Sequence, residues 1–219
     1  MNWSPPEVDV PPPRGFLNDS RYSRFCLVSR WTLHDIPKDQ QGNENWHVYT
    51  IDVATGAVRD LTPYPCVRAQ EILSGAQSNE ILDGLNRHDR KVFDLYRINL
   101  DTAVSTLDAE NPGAVISWNT DGNGVVRACT TFGGKDAHTT IRVRDDAKSP
   151  WRDLLTIPFA DCCFYGQVNG GSLLAGFAPG GKSVYVVNPL DSDKTRLVEL
   201  DCLTGREIRE IASDLRCDV

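Results

Sequence analysis

The most conspicuous candidate for chemistry is a glycine-rich segment. Residues 176–183, Gly-Phe-Ala-Pro-Gly-Gly-Lys-Ser, fit the phosphate-binding expression G-x-x-x-x-G-K-[ST]. That loop binds phosphates because it opens a helix whose first backbone N–H groups point at the ligand. Here Val184-Tyr185-Val186-Val187 follows, and β-branched and aromatic residues favour a strand. The segment therefore predicts a β-hairpin rather than a nucleotide site.

A second segment resembles the start of a calcium-binding loop. Asn119, Asp121 and Asn123 alternate with other residues, and Gly124 follows. A complete loop carries a bidentate Glu at its twelfth position, which here is Thr130. Asn, Asp and Gly all tolerate tight turns. We therefore predict a turn at this place and no metal site.

Histidines and cysteines do not form a recognisable ligand set. No two of the four histidines lie two to four residues apart, and no C-x-x-C occurs. Cys162-Cys163 follows Asp161, whose charge would raise a thiol pKa. The seven scattered cysteines predict reduced, mostly buried thiols and a cytoplasmic protein. They are Cys26, Cys66, Cys129, Cys162, Cys163, Cys202 and Cys217. No metal and no cofactor is predicted.

One polar, basic segment remains as a candidate binding site. Asn86, Arg87, His88 and Arg90 lie between two strand-like runs. Arginine binds carboxylates through two parallel hydrogen bonds, so these residues could form a rim that contacts an acidic group or a peptide C-terminus. The alternative is a solvated turn between strands.

The elements that would position these residues are short strands. Residues 1–20 are predicted to be a proline-rich lead-in, because five of the first 15 residues are Pro, which fixes φ and lacks a ladder donor. Residues 21–219 are predicted to be a β-domain. Runs such as Trp46–Val53, Thr140–Arg144 and Ser183–Val187 are β-rich, and Gly-containing turns separate them.

These strands recur as a repeat. Asp52-Val-Ala-Thr-Gly and Asp201-Cys-Leu-Thr-Gly each follow one strand and precede another, and two weaker copies are anchored at Asp101 and Asp145. Repeats of about 40 to 50 residues with several strands each are typical of β-propeller blades, whose faces are covered only by their neighbours. The sequence predicts an all-β fold of about four propeller-type blades, a partial propeller. A β-sandwich with coincidental turns is the alternative.

Composition excludes several classes of partner. The 219-residue chain carries a net charge of -7, which disfavours nucleic acid and anionic membranes. No run approaches the roughly 20 apolar residues of a membrane span. A basic segment followed by an apolar run is not visible at the N-terminus, so a signal peptide is not expected.

Two stretches resemble a known family. Residues 45–63 are similar to an outer hairpin of the propeller in prolyl-oligopeptidase-type serine peptidases, above all acylaminoacyl-peptidase and dipeptidyl-aminopeptidase relatives. Residues 80–100 resemble the next blade, and Asn111-Pro112-Gly113 before Trp118 continues the pattern. The similarity covers residues 42–219 and lies wholly within the propeller.

The resemblance implies a role beside a catalytic domain. Such peptidases combine a propeller, which restricts substrate size, with an α/β-hydrolase domain that cuts. This sequence has no G-x-S-x-G motif to expose a nucleophilic serine, so no catalytic residue is carried over. We expect a non-catalytic propeller portion that guides peptide substrate for a hydrolase domain. The alternative is a stand-alone scaffold that binds proteins.

An incomplete propeller would leave apolar side chains exposed to solvent at its two ends. We therefore expect self-association through the open blades. The residues expected at these ends are Phe25, Leu27, Trp31, Ile208, Ile211 and Leu215.

Overall fold

Four antiparallel sheets follow one another along the chain. The structure is a computed structural model, which describes residues 24–28, 31–36, 45–52, 54–74, 79–161 and 173–219. Each sheet has four strands in sequential order, so each is a meander built from neighbouring strands. The predicted all-β, four-repeat fold is confirmed. The proposed lead-in, residues 1–20, lies outside the described residues.

The strands alternate with short turns. Sheet 1 consists of β1 (Arg24–Val28), β2 (Trp31–Ile36), β3 (His47–Asp52) and β4 (Val58–Asp60). Sheet 2 consists of β5 (Ala69–Ser74), β6 (Glu80–Leu85), β7 (Asp94–Asn99) and β8 (Ser105–Ala109). Sheet 3 consists of β9 (Val115–Thr120), β10 (Val126–Gly133), β11 (His138–Val143) and β12 (Arg152–Ile157). Sheet 4 consists of β13 (Leu174–Phe177), β14 (Ser183–Asn188), β15 (Arg196–Asp201) and β16 (Glu207–Ala212).

Helix is almost absent from the described part of the chain. The helical element there is a three-residue 3-10 turn, Phe159–Asp161. Among the described residues, none forms a helix long and apolar enough to cross a membrane.

The cores lie between the sheets. Strand side chains alternate between two faces, so sheets 2 and 3 each present one apolar set to the sheet before and another to the sheet after. Three clusters of buried side chains result, joining sheets 1 and 2, sheets 2 and 3, and sheets 3 and 4. The first strands of the later sheets also meet, because β9 contacts both β5 and β13. This is the stacking that propeller blades require.

Two repeat anchors differ from the sequence prediction. Asp52 and Asp201 hold their turns as predicted. In the second repeat the anchor is Asn99 and not Asp101, since Asn99 Oδ1 accepts the backbone N–H of Thr102 at 2.9 Å. An Asn side chain caps such a turn as well as an Asp does.

In the third repeat Asp145 binds Arg152 instead, with Nη2 to Oδ1 at 2.8 Å. Its neighbour Asp146 holds the turn, accepting the N–H of Lys148 at 2.8 Å and of Ser149 at 2.9 Å. The turn before β12 is longer than in the other repeats, and this moves the anchor by one residue.

Candidate functional site

The predicted binding residues lie at one end of the sheets. Because the strands are antiparallel, loops between second and third strands share an end with the connections between sheets. We call this the connection end; it includes segments 61–68, 86–93 and 110–114. The loops that precede the second and fourth strands of each sheet lie at the opposite end, which we call the turn end. Asn86, Arg87, His88 and Arg90 all belong to the loop that joins β6 to β7.

Asn86 braces this loop. The residue is 7% exposed, and its Oδ1 accepts the backbone N–H of Arg68 at 2.6 Å. Its Nδ2 donates to the carbonyl of Arg90 at 3.1 Å. Both ends of the amide are therefore occupied, and Asn86 positions its neighbours rather than meeting a ligand.

Arg90 fastens the loop to the connection between sheets 1 and 2. Its Nη1 donates to the carbonyl of Cys66, and its Nη2 reaches that of Pro65 at 3.4 Å. Cys66 itself has a φ of 58°, in the left-handed region. His88, by contrast, is exposed.

Arg87 lies over aromatic rings in the cleft between sheets 1 and 2. Its Cζ is 4.2 Å from the ring centroid of Tyr64 and 5.9 Å from that of Tyr96. Its Nη1 donates to Ser105 Oγ at 3.2 Å, and Tyr64 Oη lies 2.7 Å from the same oxygen. We call Tyr64, Arg87, Tyr96 and Ser105 the arginine cleft. The contacts orient a guanidinium that is still exposed.

Burial governs the ionisation of the cleft. Burial of the Tyr96 phenol raises its pKa above 10.0, and the charge of Asp94 acts in the same direction. The phenol therefore stays neutral around neutral pH, and Arg87 provides a positive charge.

Sequence reasoning missed Trp46, Tyr64 and Arg68. Arg68 Cζ lies 3.9 Å above the Trp46 ring, so a second stacked arginine is present at the connection end. These residues belong to segments far apart in the sequence from residues 86–90, and no spacing pattern links them. The signal that could have indicated them is that aromatic and basic residues occur in connecting segments that share one end of the sheets.

A shallow pocket opens between sheets 2 and 3. Its wall is mostly apolar, with one amide side chain that could bind a peptide group. The lining residues are Gln70, Gly84, Phe93, Val115, Ile116 and Trp118.

One histidine has a carboxylate partner. His47 Nδ1 lies 2.7 Å from Asp60 Oδ2, and the ring stacks on Tyr49 with centroids 6.3 Å apart. Asp60 also accepts from the backbone N–H of Thr62 at 2.8 Å. The histidine–aspartate pair holds β3 to β4.

The glycine-rich segment is a hairpin, as predicted. It runs from β13 to β14, and Gly181 N donates to the carbonyl of Ala178 at 2.9 Å. The Ser183 hydroxyl, which would bind magnesium in a phosphate loop, instead donates to Glu199 Oε1 at 2.5 Å.

The calcium-like segment is a turn, also as predicted. Asp121 Oδ1 accepts the N–H of Asn123 at 2.9 Å and of Val125 at 3.1 Å, and its Oδ2 pairs with Arg127 at 3.4 Å. No group of three His, Cys, Asp or Glu residues able to hold a metal occurs in the part of the chain that the structure describes.

Comparison with known proteins finds one curated relative with a significant sequence match. Dipeptidyl aminopeptidase BIII of Pseudoxanthomonas mexicana is 27% identical over 186 residues, which is 83% of this chain and 25% of the relative. The chain thus spans about a quarter of the length of that relative. No family model matches.

Solved structures share the fold at low identity. Pyrococcus horikoshii acylaminoacyl peptidase aligns with a TM-score of 0.60 at 10% identity, over 89% of this chain and 32% of its own. A puromycin hydrolase aligns with a TM-score of 0.57 at 14% identity, over 90% of this chain and 33% of its own. TolB from Acinetobacter baumannii aligns with a TM-score of 0.52 at 12% identity, over 81% of this chain and 39% of its own.

These structural matches establish the architecture, and the curated relative connects it with a peptidase sequence. The chain is a β-propeller segment of four blades that resembles the propeller domain of prolyl-oligopeptidase-type peptidases.

Proposed function

We propose that the chain is a non-catalytic propeller portion that binds short peptides and guides them to an α/β-hydrolase domain. The observation that carries this proposal is the 27% identity to a dipeptidyl aminopeptidase, because it extends over 83% of the chain. The sequence has no G-x-S-x-G motif, so the cutting residues would belong to that other domain.

The arginine cleft supplies the binding chemistry. Arg87 Cζ lies 4.2 Å from the ring centroid of Tyr64 and Nη1 donates to Ser105, and these contacts orient the guanidinium, which forms no salt bridge with a carboxylate among the described residues. A guanidinium fixed in this way binds a planar carboxylate through two hydrogen bonds. We propose that it receives the C-terminal carboxylate of the peptide, with His88 at the exposed rim.

Peptides that differ only at the C-terminus test this role. Fluorescent tripeptides with a free carboxylate and with an amide are titrated into the chain, and anisotropy gives the two dissociation constants. Arg87→Ala should raise the dissociation constant of the free acid at least tenfold, because a hydrogen bond to a charged group contributes about 1.5–3 kcal/mol. The constant of the amide should change little.

Lys135→Ala is the matched control. Lys135 is an exposed cation in the loop between β10 and β11, at the connection end of a different sheet, and its loss should leave both constants unchanged. Equal weakening of acid and amide by Arg87→Ala would contradict carboxylate recognition. Absence of saturable binding by both peptides would favour a protein-binding scaffold instead.

We also propose a cytoplasmic location for the chain. The described cysteines Cys66, Cys129, Cys202 and Cys217 are free thiols, which suits a reducing compartment.

A further inference from the structure

The arginines at the connection end between sheets 1 and 2 differ from many others in their partners. Elsewhere a carboxylate commonly neutralises the guanidinium, as Asp145 does for Arg152 at 2.8 Å. Arg68, Arg87 and Arg90 form no salt bridge with any residue that the structure describes. Two of them stack on aromatic rings, and the third donates to backbone carbonyls. Three positive charges are therefore concentrated at this end of the two sheets.

The carboxylates of the same loop and the following strand are bound elsewhere. Asp89 Oδ1 accepts the backbone N–H of Lys91 at 2.9 Å, and Asp94 Oδ1 accepts that of Asn111 at 2.8 Å. The chain as a whole carries a net charge of -7, so a group of arginines without a paired carboxylate runs against the general charge of the protein. Such a group attracts an anionic ligand.

Arg68 is oriented by its contact with an indole ring. Its Cζ lies 3.9 Å from the centroid of the Trp46 ring. Its Nε is buried and has no hydrogen-bond partner, and its terminal nitrogens donate to no residue that the structure describes. The residue as a whole is partly exposed. Stacking fixes the plane of a guanidinium and leaves its outward donors for a ligand.

Asn86 places Arg68 beside Arg87. The backbone N–H of Asn86 donates to the carbonyl of Arg68 at 3.3 Å, and Asn86 Oδ1 accepts the N–H of Arg68 at 2.6 Å. Arg87 follows Asn86 directly in the chain. Hydrogen-bonded residues of neighbouring strands have Cα atoms about 5.5 Å apart, and consecutive Cα atoms lie about 3.8 Å apart. The Cα atoms of the two arginines therefore lie within about 10 Å of each other.

Two carboxylates of one short peptide can span this distance. Neighbouring residues of an extended peptide are about 3.3 Å apart, and the side chain of an Asp or Glu extends further. A peptide whose C-terminal carboxylate binds Arg87 therefore brings an acidic side chain of its last or next-to-last residue within reach of Arg68.

We propose that Arg68 determines specificity for acidic peptides, because it binds the side-chain carboxylate of an Asp or Glu in one of the last two positions of the peptide. The inference rests on the proposed function, in which Arg87 receives the C-terminal carboxylate. Trp46 keeps the guanidinium of Arg68 in place, and Arg90 adds a third positive charge.

Paired peptides that differ by one charge test this preference in the unchanged chain. The pairs are Gly-Glu-Ala with Gly-Gln-Ala and Gly-Ala-Glu with Gly-Ala-Gln. Each peptide has a free C-terminus and an uncharged fluorophore on its N-terminus, and anisotropy gives the dissociation constants. In at least one pair the Glu peptide should bind about fivefold more tightly, which is the effect of an ion pair at a partly exposed site. The preference should shrink in high salt.

Arg68→Met removes the charge and keeps an unbranched side chain on Trp46. This variant should bind the Glu peptide no more tightly than the Gln peptide. Arg68→Lys, which keeps the charge, should retain part of the preference. Arg206→Met is the matched control. Arg206 is an exposed arginine in the turn before β16, at the turn end, and its loss should leave the preference intact.

Equal affinity for Glu and Gln peptides in both pairs, or a preference that Arg68→Met leaves unchanged, would overturn the inference. The proposed function would still stand if Arg87→Ala then weakened binding of the free acid selectively against the amide. Absence of saturable binding by all peptides would overturn both. The comparison of peptides on the unchanged chain stays decisive if Arg68→Met does not fold.

Discussion

At the scale of single residues, burial divides the cysteines into two classes. Cys129 is 2% exposed, and its burial between sheets 2 and 3 raises the pKa of its thiol to about 12. Burial likewise raises the pKa of the Cys202 thiol. Cys66 and Cys217 are exposed. The sequence prediction of mostly buried thiols thus holds for two of these four, and Cys162 and Cys163 lie outside the described residues.

We predict that alkylation of the native chain follows this division. The thiolate is the reacting form, and a raised pKa together with burial removes it. At about pH 8, iodoacetamide should modify Cys66 and Cys217 within minutes, and Cys129 and Cys202 only after denaturation. Peptide mass mapping at several times measures each site. Modification of Cys129 in the native chain at the rate of Cys66 would contradict the packing described between sheets 2 and 3.

At the scale of elements, the sheets depend on the cores between them. Leu85 at the end of β6 is fully buried in the cluster that joins sheets 1 and 2. We predict that Leu85→Ala lowers the free energy of unfolding by about 2–5 kcal/mol, because it removes buried methyl groups and leaves a cavity. Leu215, which is 99% exposed, is the matched control, and Leu215→Ala should cost less than about 0.5 kcal/mol. Urea denaturation measures both, and similar losses would count against this core.

The turns make stability depend on pH. The Thr204 hydroxyl and backbone N–H donate to Asp201 and hold its pKa below its ordinary value of 3.8. A carboxyl whose pKa is lower in the folded state stabilises the fold above pH 3.8, and this contribution is lost as the pH falls through the folded-state pKa. The N–H groups of Lys148 and Ser149 lower the pKa of Asp146 in the same way.

We therefore predict that the melting temperature falls as the pH drops from about 5 to about 2.5. Asp201→Asn should reduce the slope, because an Asn in this turn still accepts the two N–H groups, as Asn99 does, and has no charge to lose. Differential scanning calorimetry across this pH range gives the two slopes. An unchanged slope would show that Asp201 binds protons equally in the folded and unfolded chain.

At the scale of the whole molecule, we propose that the chain is the peptide-binding portion of a two-part peptidase. We predict that a fluorophosphonate probe labels no serine of the isolated chain, because the sequence has no G-x-S-x-G motif to expose a nucleophilic serine. Intact mass spectrometry after incubation measures the labelling, and a catalytically competent serine hydrolase serves as the positive control. Stoichiometric labelling of one serine here would overturn the assignment of catalysis to another domain.

The sequence by itself determined the strands, the hairpins and the four-part repeat. These features depend on alternating side chains and on turn-forming residues, which interact within a few positions of one another. Hence the hairpin at Gly181 and the turns at Asp52, Asp121 and Asp201 were predictable. Even there, the anchors Asn99 and Asp146 were misplaced by one or two residues, because Asn can replace Asp and turn length varies.

Only the tertiary structure decided the arginine cleft and the arginine contacts between neighbouring sheets. Tyr64 meets Ser105 across 41 residues, and Arg59 reaches Asp101 across 42. Contacts of this kind arise when separate sheets stack, so no local pattern encodes which arginine meets which carbonyl. The chain carries Arg59 and Arg152 on last strands, and only the stacking shows that each donates to a turn of the next sheet.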